Sequence, residues 1–181
     1  MTGFRDGSIK VWSLIDFSLL HTFPGHNGSV TCLQFDEEKL ISGSNDKSLI
    51  IRNSETGNAI KIISHTQAIA KLKFDRNILI SCSKDSLLIY NIRDLKNVTF
   101  IKDLILNEPS LNNIQFTCNA VDFNDSYLIV GLSRNVGLWR KNENFSFLKL
   151  LGSHEKEITS ILAYDDNFVI SGSNDKTVRI I

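Results

Sequence analysis

A histidine, a serine and an aspartate recur together along this chain. They stand as His26, Ser42 and Asp46, then as His65, Ser81 and Asp85, and again as His154, Ser171 and Asp175. In a single place such a set has the chemistry of a hydrolytic triad, in which the carboxylate orients the imidazole and the imidazole takes the proton of an attacking hydroxyl. Catalysis needs one such site, however, and three copies at one repeat position point to scaffolding. A buried hydrogen bond nets about 1 kcal/mol, whereas losing one member strands each partner at about 1–3 kcal/mol. A shared metal ion is not expected, because His26, His65 and His154 fall in separate units. No glycine-rich loop follows a strand and opens a helix, so no nucleotide cofactor is expected either. The reading is of no catalytic residues, no metal and no cofactor.

The sets belong to a longer repeat. "SGSNDKSLII" (Ser42–Ile51) and "SGSNDKTVRI" (Ser171–Ile180) agree at seven of ten positions, 129 residues apart. Related segments begin at Thr2 ("TGFRDGSIKVW"), Ser81 ("SCSKDSLLIY") and Val130 ("VGLSRNVGLW"). The aspartates Asp6, Asp46, Asp85 and Asp175 are separated by 40, 39 and 90 residues, the last step spanning the Val130 copy, which lacks the aspartate. A period near 40 residues points to a propeller or a solenoid. Within a unit, "SVTCLQF", "KLISGS", "SLII" and "NAIKII" (Asn58–Ile63) are short β-branched or aromatic runs separated by "DEE", "SNDK" and "SETG" turns. No apolar period of 3.6 residues runs long enough to specify a helix. The pattern therefore predicts an all-β chain of four-stranded antiparallel blades, a β-propeller.

In this motif order (Gly-His, strand, turn, strand ending in Ser-Gly, Asp turn, strand ending in an aromatic residue) the chain resembles the WD-repeat proteins over nearly its whole length. The literal Trp-Asp pair is absent: Ser13 follows Trp12 and Arg140 follows Trp139. The resemblance implies that His, Ser and Asp form a structural network with the residue ending the third strand. Its members here would be Thr2, Asp6 and Trp12; His26, Ser42 and Asp46; His65, Ser81, Asp85 and Tyr90; and His154, Ser171 and Asp175. Arg52 and Ile181 hold the aromatic position without an indole, so looser blades are expected there. The Val130 unit lacks the His and the Asp and carries extra residues around Ile101–Asn113, an insertion suited to a loop on one face.

The expected organisation is one propeller segment, 1–181: a partial blade 1–23, blades of about 24–63, 64–102 and 103–151, and an incomplete blade 152–181. A closed ring of seven blades needs about 280–300 residues at this period. An incomplete propeller is the favoured expectation. A fragment of a larger propeller, an unusual ring of four or five blades, and an open arc whose exposed blade edges pair with another chain all remain open.

The bulk numbers narrow the function. Lys+Arg and Asp+Glu are both 20, which gives no electrostatic reason to seek nucleic acid or an anionic membrane. No run reaches the roughly 20 apolar residues of a membrane helix, and the N-terminus has no apolar signal core. The cysteines Cys32, Cys82 and Cys118 lack metal-type spacing and read as buried thiols of a reducing compartment, cytoplasmic or nuclear. In the family that the chain resembles, the Gly-His loop and the Asp turn share a face. The residues before each Asp (Arg5, Asn45, Lys84 and Asn174) and after each His (Asn27, Thr66 and Glu155) would form a surface for a protein or peptide. The expected function is a non-catalytic protein-interaction scaffold. The repeats are similar to those of F-box/WD-repeat proteins, which implies a substrate receptor of a ubiquitin ligase, with Arg5, Arg52 and Lys84 facing an acidic or phosphorylated segment. The alternatives are a propeller hydrolase using one His/Ser/Asp set, and a truncated relic without independent function.

Overall fold

Turns rich in Asp, Asn and Ser, spaced every few residues between β-branched runs, leave the backbone no room for a helix and one good way to satisfy its polar groups: short antiparallel ladders. The structure, a computed structural model, describes residues 1–84, 86–104, 111, 117–141, 144–164 and 167–181. Among these, 18 strands form five antiparallel sheets of three or four strands, each following chain order. These are propeller blades, and the chain is all-β. By compactness it divides into two units, Met1–Leu79 with Tyr90–Phe100, and Ile80–Ile89 with Ile101–Ile181.

The first unit opens with a three-stranded sheet, β1 (Thr2–Gly3), β2 (Ile9–Trp12) and β3 (Leu19–Phe23). A four-stranded sheet follows, of β4 (Val30–Phe35), β5 (Lys39–Ser44), β6 (Ser48–Asn53) and β7 (Ala59–Ser64). Then comes β8 (Ile69–Phe74), the first strand of a sheet completed by β9 (Ile78–Ser83), β10 (Leu87–Asn91) and β11 (Thr99–Asp103). The second unit carries a four-stranded sheet of β12 (Cys118–Phe123), β13 (Tyr127–Leu132), β14 (Asn135–Arg140) and β15 (Ser146–Ser153). It ends in a three-stranded one, β16 (Ile158–Ala163), β17 (Val169–Ser173) and β18 (Val178–Ile180). Of the insertion expected around Ile101–Asn113, residues 101–103 are the end of β11; residues 105–110 and 112–116 lie outside the described residues.

The second strand of the β4–β7 sheet is covered on both faces. All six residues of β5 are buried, Lys39 with its ammonium 2.6 Å from Asp36. Successive sheets within the first unit meet through a recurring joint. A β-branched side chain at the start of one sheet's first strand sits over a glycine of the preceding sheet, Gly3 of β1 or Gly43 of β5. A Cβ built on Gly3 would lie 2.5 Å from Val30 Cγ1, and one on Gly43 would lie 2.6 Å from Ile69 Cγ2. Two polar contacts seal the Gly43 joint. The Thr31 hydroxyl donates to the Ile69 carbonyl at 2.6 Å, and the Gln34 amide exchanges two bonds with the Phe74 backbone at 2.9 and 3.0 Å. The second unit repeats the scheme: Gly131 lies under Ile158, with 2.9 Å between a built Cβ and Cγ2, and Asp122 Oδ2 accepts from the Ala163 N–H at 3.0 Å.

Glycine at position 43 is therefore a matter of space. Gly43→Ala will force Ile69 or Cys32 aside and lower the unfolding free energy by about 1–3 kcal/mol, measured as a shifted urea midpoint at unchanged m-value.

Candidate functional site

An Asp followed two residues later by Ser or Thr favours a tight turn, because the carboxylate can accept from both the hydroxyl and the backbone N–H of that residue. At the β5–β6 turn Asp46 Oδ1 accepts from the Ser48 N–H at 2.9 Å and from its hydroxyl at 2.6 Å. The turn closes with Lys47 at a φ of 68°. Asp6 makes the same pair of bonds to Ser8, at 2.9 and 2.7 Å. There Gly7 fills the left-handed position (φ 84°), and a Cβ would strike the His26 carbonyl at 2.1 Å.

The second oxygen of Asp46 reaches a histidine, and so does that of Asp175. His26 Nδ1 lies 3.0 Å from Asp46 Oδ2 and 3.1 Å from Ser48 Oγ, and Nε2 lies 2.8 Å from Ser42 Oγ. Since the carboxylate can only accept, Nδ1 carries the proton and Nε2 accepts from the serine hydroxyl. Asp46 Oδ2 also accepts from the Asn27 N–H at 2.8 Å. The last sheet repeats this atom for atom. His154 Nδ1 is 2.9 Å from Asp175 and 3.1 Å from Thr177 Oγ1, Nε2 is 2.8 Å from Ser171 Oγ, and the Glu155 N–H donates to Asp175 at 3.0 Å.

The connectivity is that of a triad, but access is not. Ser42 and Ser171 are both 0% exposed. A hydroxyl sealed inside a sheet cannot meet a substrate, so what this arrangement does is pin the incoming loop to the Asp turn. The electrostatics agree. Burial pushes the Asp46 carboxyl up, but bonds from Ser48, Asn27 and His26 outweigh it and hold it below the ordinary carboxylate range. Asp175 is held low chiefly by the Thr177 hydroxyl, with further bonds from Thr177 N–H, Glu155 N–H and His154. Burial lowers the pKa of His26 despite Asp46, keeping the ring neutral.

The other sheets add further contacts among the described residues. In the first sheet the Trp12 indole donates to Thr2 Oγ1 at 2.8 Å. His65 meets Tyr90, whose hydroxyl lies 3.3 Å from Nε2, and burial lowers this histidine's pKa too. Ser81 is buried in β9, and Asp85 lies outside the described residues. The position expected to loosen at Arg52 is filled by another route. The guanidinium is 5% exposed and donates to the Gly57 carbonyl at 3.0 Å and the Pro24 carbonyl at 2.7 Å. Arg52 therefore cannot contact an acidic partner. In the fourth sheet the Asp turn is gone: Leu132 pairs with Asn135, leaving a two-residue turn with Ser133 at a φ of 51°, and Thr117 Oγ1 lies 3.1 Å from Ser133 Oγ. Ser48, Thr177, Thr117 and Ser133 were missed by the sequence reading. The first two are signalled by the recurring Asp-x-Ser/Thr spacing; the last two are not.

The cysteines also correct the sequence reading. Cys82 and Cys118 are joined in a disulfide with Cα atoms 5.7 Å apart, while Cys32 is free and burial pushes its thiol up to about 11.

Arg5, Asn27, Asn45, Thr66, Lys84, Glu155 and Asn174 are all exposed. In the second unit the turns beside the His154 network frame a polar cleft of about 480 Å³, lined by Thr117, Ser133, Arg134, Lys156, Glu157 and Asn174.

Comparison with known proteins follows the repeats. The family described as "WD domain, G-beta repeat" matches residues 17–53 and 145–181, and these stretches are WD repeats. Protein HIR1 of Eremothecium gossypii is 27% identical over 99% of this chain and 20% of its own length. Pre-mRNA-processing factor 17 of Saccharomyces cerevisiae is 26% identical over 99% of this chain and 31% of its length. The human F-box and WD repeat domain containing protein 10B is 48% identical over 40 residues, 22% of this chain and 5% of its length. The chain thus spans a fifth to a third of the curated relatives that it matches throughout. Among solved structures, the computationally designed Ika8 protein superposes with a TM-score of 0.80 at 24% identity, covering 98% of this chain and 53% of that one. The designed Ika4 protein gives 0.74 at 23%, covering 88% and 94%. At these identities the two structures bear on the fold alone.

Removing the serine hydroxyl leaves His26 Nε2 buried and unpaired, so Ser42→Ala will cost about 1–3 kcal/mol, measured by denaturant unfolding. Acid will have a related effect. The folded-state pKa of His26 lies below its unfolded value near 6.5, so the unfolded chain binds the extra proton as pH falls. Stability is full above about pH 6.5 and declines below it, with a slope of up to about 1.4 kcal/mol per pH unit for this group. His26→Gln will flatten that slope in the pH profile of unfolding.

Proposed function

We propose that this chain, which carries WD repeats, is a non-catalytic scaffold that holds a protein or peptide partner through the exposed residues of its Asp turns and post-histidine positions. The observation that carries the reading is the burial of Ser42 and Ser171. The serines of the two fully described His/Ser/Asp sets, which have the connectivity of a triad, are enclosed, while residues flanking them are exposed. Arg5, Asn27, Asn45, Thr66, Lys84, Glu155 and Asn174 are the proposed contacts. The cleft beside Asn174 adds two cations, Arg134 and Lys156, against one carboxylate, Glu157. Such a mixed polar surface suits a peptide better than a polyanion, in keeping with the balanced charge. Blades of about 24–63, 64–102 and 103–151, between partial ones at 1–23 and 152–181, are the units that present it.

A finer form of the reading is substrate recognition for a ubiquitin ligase. It leans on the 40-residue likeness to a human protein named for an F-box and WD repeats, and would use Arg5 and Lys84 toward an acidic segment. Relatives named for pre-mRNA processing and for association with U3 small nucleolar RNA favour the nuclear side of a cytoplasmic or nuclear location. The outermost strand of the last sheet, Val178–Ile180, is exposed along its length and is where edge pairing with another chain would occur.

Charge reversal at Arg5 and Lys84 together will weaken partner capture at least tenfold while leaving the melting temperature within a degree or two. Ser42→Ala will lower the melting temperature first. Hydrolytic activity that disappears in Ser42→Ala at unchanged stability would overturn the scaffold reading in favour of an enzyme.

A further inference from the structure

The joints between sheets follow one rule, and one joint breaks it on both sides at once. Val30, Ile69 and Ile158 each sit over a glycine, respectively Gly3, Gly43 and Gly131. Val30, Cys118 and Ile158 open equivalent first strands, and the same register shift follows each: Val30/Cys32, Cys118/Ala120 and Ile158/Ser160. Cys118 thus stands where the other joints have Val or Ile. Cys82, within Ser81-Cys82-Ser83, stands where Ser42-Gly43-Ser44 and Ser171-Gly172-Ser173 have glycine. A glycine socket has no room for an added Cβ, whereas two cysteines with Cα atoms 5.7 Å apart share the space by bonding.

We propose that Cys82 and Cys118 are a site of reversible thiol–disulfide modification, a covalent fastening of β9 to β12 that replaces the glycine-and-β-branched packing of the other joints. The co-reactant is a small-molecule disulfide, RSSR. One cysteine, as thiolate, attacks a sulfur of RSSR, forming a mixed disulfide and releasing RS⁻. The second thiolate then attacks the protein sulfur of that mixed disulfide, closing the Cys82–Cys118 bond and releasing another RS⁻. The two RS⁻ take up the two protons given up by the cysteines. Two protein thiols are oxidised and one RSSR is reduced to two RSH.

Cys82 and Cys118 are 0% and 1% exposed, so exchange must wait for the joint to open. Modification is therefore slow in the resting fold and faster when this part of the chain is loosened. A bond closing a loop with a sequence separation of 36 residues constrains the unfolded chain strongly. Cys32, half-buried with its thiol pushed up to about 11, is not a competing nucleophile near neutral pH.

The test uses the full chain equilibrated in reduced or oxidised glutathione. Expected are a Cys82–Cys118 linked peptide in the non-reducing mass map of the oxidised sample only, and a melting temperature higher by about 10 °C than in the reduced sample. The double variant Cys82→Gly/Cys118→Val rebuilds the joint found at Gly43 and should melt at one temperature in both buffers. Should that variant not fold, Cys32→Ser serves in its place and must keep the full redox response. Absence of the linked peptide from oxidised protein, an equal melting temperature of wild type in both buffers, or loss of the response in Cys32→Ser would overturn the proposal.

Discussion

An imidazole with a carboxylate at one nitrogen and a hydroxyl at the other is stable inside a protein only while all three stay in place. Each group satisfies a neighbour that water can no longer reach. Remove the hydroxyl and a ring nitrogen is orphaned; remove the carboxylate and the tautomer is no longer fixed. His26 and His154 sit in this arrangement, and the loops that bring them there are pinned by the same carboxylates through the Asn27 and Glu155 backbone. Turn, loop and second strand of a blade are thereby locked together by one chain of bonds. Asn27 and Glu155, exposed beside that lock, are tied to it through their own N–H groups.

The sheets are held to each other by a different kind of force. Val30, Ile69 and Ile158 enter spaces that only a glycine leaves open, and a threonine, glutamine or aspartate on the first strand bonds the neighbour's backbone. Steric fit sets how closely the sheets approach, and the polar contacts set the register. A blade can therefore lose its histidine network, as the fourth sheet does, and still be held by its joint. The Thr117–Ser133 pair ties its turn, and the T-shaped packing of buried Trp139 on Phe147, 5.1 Å between centroids, fills the sheet.

Departures from the repeat have local physical reasons. Arg52, at a position held elsewhere by an indole, keeps the donor capacity of an indole but redirects it to the carbonyls of Pro24 and Gly57. The Tyr90 hydroxyl, a donor and an acceptor on the third strand, lies 3.3 Å from His65 Nε2. The Arg52 solution is partial: its two terminal nitrogens find carbonyls, while Nε has no partner among the described residues.

The sequence alone determined the strands, the turns between them, the repeat and the identity of its histidine, serine and aspartate. All of these are encoded within about 40 consecutive residues, where propensity, turn chemistry and spacing act directly. It could not determine which way Arg52 faces, whether the serines are sealed, or that Cys82 and Cys118 meet. Those depend on what the next sheet or loop lays over a given position, and a side chain's burial is a property of that covering. Ser48 and Thr177 were not read, but the strands and the histidine, serine and aspartate of the two described networks were legible before folding. Their enclosure, which separates a scaffold from a triad, exists only once neighbouring segments pack and exclude water.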